Sequence, residues 1–227
     1  MSPRILDILD ILVNPNTFFQ RAMQEKENIK IPFLILLAAV VIGAIYGYEY
    51  GGLTATLMAG EMKGIGPIIL AVSVIGAFLG IFIFWAVWAG VIFLMSMLFK
   101  GTGTFKRTLE FIGYRFLPQV LGSVISLIVA LEYLPKVVIP HISLAALQDP
   151  DLMQEAIKLL TRDPALLEFT QISTLISIVF LLWSANIWIF GAQHARGLSM
   201  RDAVICVMVP VVASILFRVY NLTVMQI

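Results

Sequence analysis

Residues 67–99 read PIILAVSVIGAFLGIFIFWAVWAGVIFLMSMLF, the longest apolar stretch of the chain. Lipid offers the backbone no hydrogen-bond partner, so such a stretch must close its own bonds as a helix. At about 1.5 Å per residue it exceeds a hydrocarbon core of about 30 Å, which requires a strongly tilted helix or one that projects from the membrane. Four further stretches qualify as spans, at about 31–48, 111–133, 172–190 and 203–224. Composition agrees: 60% of the 227 residues are hydrophobic and only 13% are charged, a balance that the surface of a soluble domain does not tolerate. The expected fold is all-α, a polytopic integral membrane protein with five transmembrane helices. An amphipathic segment at 1–30 precedes the transmembrane domain at 31–227, which carries a helical cap at 135–171.

Five crossings put the termini on opposite sides. With the N-terminus cytoplasmic, the inner segments hold ten cations: Arg4, Arg21, Lys26, Lys30, Lys100, Lys106, Arg107, Arg115, Arg196 and Arg201. The outer segments then hold four, Lys63, Lys136, Lys158 and Arg162, and Arg218 falls inside a span. The excess of inner cations predicts N-in, C-out, with 135–171 outside.

The first thirty residues are no signal peptide, because Asp7 and Asp10 interrupt any apolar core and no small-residue cleavage site follows. They read as two short helices broken at Asn14-Pro15, with Asn14 as cap and Pro15 as first helical residue. Ile5, Ile8, Leu9 and Leu12 would lie in the membrane interface, with Phe18 and Phe19 anchoring the second piece. A buried docking helix is the rival reading of the same pattern. On the outer side, Asp149-Pro150 and Asp163-Pro164 each read as a cap followed by a proline at the first helical position. They predict one helix over about 150–162 and another that runs from about 164 into the fourth span.

Residues 100–120, KGTGTFKRTLEFIGYRFLPQV, form the loop that leads into the third span. Thr104 is the expected N-cap. Phe105, Leu109, Ile112 and Phe116 fall on one helical face and Lys106, Arg107 and Glu110 on another, the pattern of an interfacial entry helix. Pro118 frees the carbonyl of Tyr114, so a kink is expected there, and Arg115 can snorkel to the headgroups. Lys100, Lys106, Arg107 and Arg115 together form the expected lipid- or partner-binding cluster on the cytoplasmic side.

Catalytic chemistry finds little support. A Ser123–His194 dyad would lack the glycine-rich setting of an intramembrane serine protease. His141 and His194 lie on opposite sides of the membrane and cannot share a metal. KGTGT is not closed by Gly-Lys-Ser/Thr and is no phosphate loop. The lone Cys206 excludes an internal disulfide. No enzyme activity, cofactor, metal or nucleic-acid partner is expected. The small-residue pairs Gly43/Gly47/Gly51, Gly76/Gly80 and Ala86/Gly90 suit helix packing within the bundle or a homodimer seam.

NPNTFF at 14–19, GTGTFKRTLEFIGYRFLPQVLGS at 101–123 and GAQHARGLSMRDAV at 191–204 resemble the Yip (Ypt-interacting protein) domain family in its prokaryotic branch. The most specific element is Gly113-Tyr114 followed by Pro118, which resembles the family signature at the start of the third span. The resemblance implies five transmembrane helices with a cytoplasmic N-terminus. Eukaryotic members are tied to Rab GTPases and carry an aspartate-leucine-tyrosine-glycine motif near the N-terminus, which this sequence lacks.

Two functions follow as expectations. The first is a non-enzymatic membrane-organising or adaptor protein of the cell membrane, with lipids, a cytoplasmic protein or a second copy as partner. The second is a small transporter or ion channel, for which Gln119, Asn186 and Arg218 would be a thin set of midspan polar groups. Arg218 sits about 22 Å along the fifth span, where it either snorkels outward or pairs with Glu132 or Glu49.

Overall fold

The computed structural model describes residues 5–58, 66–139 and 149–226. Among these residues all regular structure is helical: α1 (Ile5–Val13), α2 (Pro15–Ala22), α3 (Lys30–Met58), α4 (Gly66–Met97), α5 (Phe105–Gly113), α6 (Phe116–Tyr133), α7 (Pro150–Thr161), α8 (Pro164–Arg196) and α9 (Met200–Gln226). Four segments are long and apolar enough to cross a membrane: Val74–Met97, Phe105–Lys136, Pro164–Arg196 and Met200–Thr223. The chain is therefore a multi-pass membrane protein. The stretch expected as the first span falls in α3, whose described apolar part is the shorter Lys30–Ile45. Glu61, Lys63 and His141, and the side chain of Glu49, lie outside the described residues.

The chain divides into two compact units. One comprises residues 1–39, 80–122 and 177–216, the other 40–79, 123–176 and 217–227. Two apolar clusters form the core of the first unit. One joins Ala89 and Ile92 of α4, Ile112 of α5, Leu181, Ala185 and Trp188 of α8, and Cys206, Val207 and Val211 of α9. The other joins Ile11, Phe19, Leu36, Trp85, Phe111, Tyr114, Phe116 and Ile187. In the second unit Ala130, Leu134, Val137, Leu166 and Phe169 pack together. There the Asp163 carboxylate accepts from the Leu166 N–H at 3.0 Å and the Val138 N–H at 3.1 Å, capping α8 and tethering the turn after α6. Asp149 caps α7 by accepting from Asp151 N–H at 2.9 Å, with Pro150 at the first helical position as expected.

One face of the N-terminal helices docks onto the protein. Phe19, which the interfacial reading placed against lipid, is fully buried in the second cluster of the first unit together with Ile11, whereas Leu9 is exposed. Asn14 occupies the cap position before Pro15, but its side chain makes no capping bond. Its N–H instead donates to the Asp10 carbonyl at 2.8 Å, which holds the corner between α1 and α2.

The entry to the third span is a break, not a kink. α5 stops at Gly113 and α6 starts at Phe116, so Pro118 falls in the first turn of α6, where a missing N–H costs no helical bond. The Tyr114 carbonyl that a mid-helix proline would orphan accepts from the Leu117 N–H at 3.1 Å.

The described glycines of the small-residue stripes are open. A Cβ at Gly43, Gly47, Gly76, Gly80 or Gly90 would find no described atom within 4 Å, so among the described residues these positions make no tight packing within the chain.

Candidate functional site

The polar residues of the first unit gather where α2, α5 and the end of α8 meet the loop after α4. That loop begins with Lys100 in a left-handed conformation at φ 57°, uncommon for a residue with a side chain. The Gly101 N–H donates back to the Ser96 carbonyl at 2.8 Å and closes the end of α4. The loop then wraps the C-terminus of α8. Thr102 N–H donates to the Arg196 carbonyl at 2.8 Å. The buried Arg196 guanidinium donates to Ser96 Oγ at 2.7 Å, the Gly103 carbonyl at 2.6 Å and the Gly101 carbonyl at 3.0 Å, with Cζ 4.0 Å from the centre of the Phe93 ring. Gly103 has φ +90°, and a Cβ there would lie 2.5 Å from the Ala195 carbonyl, so only glycine fits the wrap.

Thr104 caps α5 as expected, accepting from the Arg107 N–H at 3.1 Å, and its hydroxyl donates to the Glu27 carboxylate. α5 itself departs from the interfacial expectation. Two of the three residues on its polar face are covered, Arg107 at 8% and Glu110 at 3% exposed, while Lys106 stays open to solvent. Arg107 donates to the Glu110 carboxylate at 2.9 Å, to the Ala22 carbonyl at 3.3 Å and to the Glu25 carbonyl at 2.5 Å. It thereby ties α5 to the last carbonyl of α2, which also accepts from the Glu25 N–H at 3.1 Å, and to the Glu25 carbonyl just beyond the helix. Phe18 and Phe19 pack against Tyr114 at centroid separations of 5.1 and 5.9 Å, and Phe19 against Phe111 at 4.7 Å. Such aromatic pairs add about 0.5–1.5 kcal/mol each beyond their buried area. Trp183 Nε1 donates to the Leu12 carbonyl at 3.2 Å and His194 Nε2 lies 2.8 Å from Asn16 Oδ1, so α8 holds both ends of the α1–α2 corner.

Gly113 owes its place to close approach. A Cβ on it would stand 2.4 Å from Pro32 Cβ and 3.0 Å from Trp85 Nε1, the nitrogen that donates to the Leu109 carbonyl at 2.8 Å. Tyr114 and Pro118 are buried beside it.

The four cations expected as one basic cluster are separated by the fold. Lys100 and Lys106 are exposed, and Lys106 Nζ lies 3.7 Å from the Glu27 carboxylate. Arg107 is consumed internally. Arg115 does not snorkel: it is 2% exposed, with Cζ 4.1 Å from the Trp188 ring centre, 4.4 Å from Phe116, 5.7 Å from Phe84 and 6.0 Å from Trp88. Desolvated cation–π contacts contribute up to about 2 kcal/mol, which offsets part of the cost of burying the charge. Of the expected intramembrane ion-pair residues, Glu132 pairs with Lys136 one helical turn on, and Arg218 is exposed on α9. The role of Arg196 was missed because its partners are mainly backbone carbonyls of a distant loop, which no side-chain pattern announces.

These features define a helical multi-pass membrane protein whose N-terminal arm is folded onto the broken entry to a span. The chain belongs to the Yip1 domain family, whose model matches residues 9–220, from the docked arm to the last helix. It is 33% identical over 126 residues to an uncharacterized protein of Methanocaldococcus jannaschii, a match covering 56% of this chain and 89% of that relative. No solved structure matches the chain.

Proposed function

We propose that this Yip1-family protein is a non-enzymatic membrane-organising or adaptor protein of the cell membrane, whose cytoplasmic face binds anionic lipid headgroups. The observation that carries this reading is the division of its cations. Arg107 and Arg196 are spent on fastening the arm and the loop, while Lys100 and Lys106 point outward from a scaffold that those arginines hold in place. A cation near an anionic surface contributes about 1 kcal/mol. In bilayers of mixed phosphatidylcholine and phosphatidylglycerol, the reconstituted protein should enrich phosphatidylglycerol around itself, measured by quenching of its tryptophans with brominated lipid. Neutralising Lys100 and Lys106 to glutamine should lower that enrichment by about fivefold per charge, and salt should do the same. An enrichment unchanged by both would sink the reading.

The five-span, N-in topology is part of the proposal. α3 has 29 residues, enough at about 1.5 Å each to cross a bilayer as the first span and bring the number to five. Cysteines placed at the exposed positions Lys106 and Asp151, in a background lacking the buried Cys206, should react oppositely with an impermeant maleimide in intact cells. Equal labelling would refute the topology. The open faces at Gly43, Gly47, Gly76 and Gly80 leave room for lipid chains or a second copy. A transporter or channel is the alternative, and solute flux in sealed liposomes would favour it.

A further inference from the structure

Arg115 lacks what a buried arginine ordinarily has. Its Nε and Nη2 are shielded from solvent and have no hydrogen-bond acceptor among the described residues, and the same holds for the indole Nε1 of Trp88 and of Trp188. The two indole rings meet edge to face at 5.6 Å, and both lie within about 6 Å of the Arg115 carbon, so three donor groups without acceptors share one small volume. Aromatic rings attract the charge of a guanidinium, but its N–H groups still need oxygen, and an unsatisfied buried donor is costly.

Among the described residues no counter-ion faces the guanidinium. The segments that build this cage, 80–122 and 177–216, contain two acids, Glu110 and Asp202. Glu110 is paired with Arg107, and Asp202 accepts from the Ser199 hydroxyl at 2.6 Å. Gln193 Oε1, a buried acceptor that is itself unpartnered, makes no bond to the arginine. The cage is also asymmetric. Trp188 and Phe116 lie close to the guanidinium, while Phe84 and Trp88 stand farther off, and Phe84 is 47% exposed. On α4 its neighbours Ile83 and Val87 are exposed too. A ligand reaching Arg115 past Phe84 would thus cross an apolar surface with a cation and two indole N–H donors behind it.

We propose that Arg115, Trp88 and Trp188 form a binding site for a phosphate oxyanion, delivered as the headgroup of an anionic phospholipid whose acyl chains lie along the exposed face of α4. This site is separate from the Lys100/Lys106 surface and does not depend on it. Displacement of the Phe84 ring admits the phosphate, its oxygens accept from Arg115 and the two indoles, and the rings exclude water from the contact. The apolar approach favours a lipid over a free ion, because only a lipid brings chains to cover Ile83, Phe84 and Val87.

The full chain is purified in a mild detergent and titrated with phosphatidylglycerol, phosphatidylcholine or inorganic phosphate, with native mass spectrometry for occupancy and thermal unfolding for stabilisation. Wild type should bind and be stabilised by phosphatidylglycerol more strongly than by phosphatidylcholine, whose choline cation opposes the guanidinium although its phosphate offers the same oxygens. Arg115→Met should weaken this by about tenfold or more, the scale of losing a charged hydrogen-bond donor. Should that variant not fold, Trp88→Phe with Trp188→Phe carries the test, because it keeps both rings over the charge and deletes only the donors; it should weaken binding by several-fold. Inorganic phosphate acting alone, with the same sensitivity to these variants, would support the site and name a free anion as its source. Binding that survives both variants, or binding that only Lys100→Gln with Lys106→Gln abolishes, would overturn the site while leaving the headgroup-binding surface standing. No stabilisation by either phosphate probe would overturn the site as well.

Discussion

Arg196→Met should lower the unfolding free energy by about 3 kcal/mol, one of the two largest effects expected from a single side chain here. The guanidinium makes three charge-assisted hydrogen bonds, to Ser96 Oγ and to the carbonyls of Gly101 and Gly103, and it lies over Phe93. Methionine fills much of the volume but satisfies none of the three acceptors. Ser96 is fully buried, so water cannot replace the lost donor there, whereas Gly103 is exposed and its carbonyl can turn to solvent. The damage should therefore be local before it is global. Hydrogen exchange at the Thr102 N–H, which is bonded to the Arg196 carbonyl, and at the Gly101 N–H, bonded to Ser96, should speed up by at least about tenfold. Amides of α7 should keep their protection. A stability loss below about 1 kcal/mol with unchanged exchange would mean that the loop holds its wrap without the arginine.

The parts of this architecture that were legible in sequence are those set by local chemistry. Thr104, Asp149 and Asp163 cap helices where a short polar side chain precedes a helical run, and Pro150 and Pro164 start helices because their missing N–H costs nothing there. Apolar length disclosed the membrane helices for the same reason. The misreadings on α5 have one cause. Lys106, Arg107 and Glu110 share a polar face, and periodicity identifies such a face without saying whether water or another part of the chain covers it. The covering carbonyls, at Ala22 and Glu25, lie more than eighty residues earlier in the chain. Arg115 was misread for a related reason: helical spacing places it on the face of Thr108, Phe111 and Ile112, all fully buried, and the rings that cover that face at Arg115 come from α4 and α8, distant in sequence. Gly113 could be singled out by resemblance, but its physical reason, the approach of Pro32 and Trp85, needed coordinates.

The Arg107–Glu110 pair tests whether the N-terminal arm is held by charge or by packing. Arg107→Met removes the donor to two arm carbonyls and leaves the Glu110 carboxylate 3% exposed without its cation. Breaking a buried pair from one side typically costs about 3–5 kcal/mol, most of it from the stranded charge. Glu110→Gln alone should cost less, because Arg107 keeps both carbonyls as acceptors and has the Phe111 ring 5.2 Å away. The double variant should recover part of the loss of Arg107→Met, since no stranded carboxylate remains, giving a coupling of about 1–3 kcal/mol in a double-mutant cycle. The arm reports the same event through proteolysis. Residues 23–26 are exposed and include Lys26, so trypsin should cleave there faster in Arg107→Met than in wild type. Two outcomes would assign the arm to packing. Strictly additive losses would show that the pair does not act as a unit, and cleavage at wild-type rates would show that Phe18 and Phe19, packed edge-on and tilted against Tyr114 and Phe111, are enough to keep the arm closed.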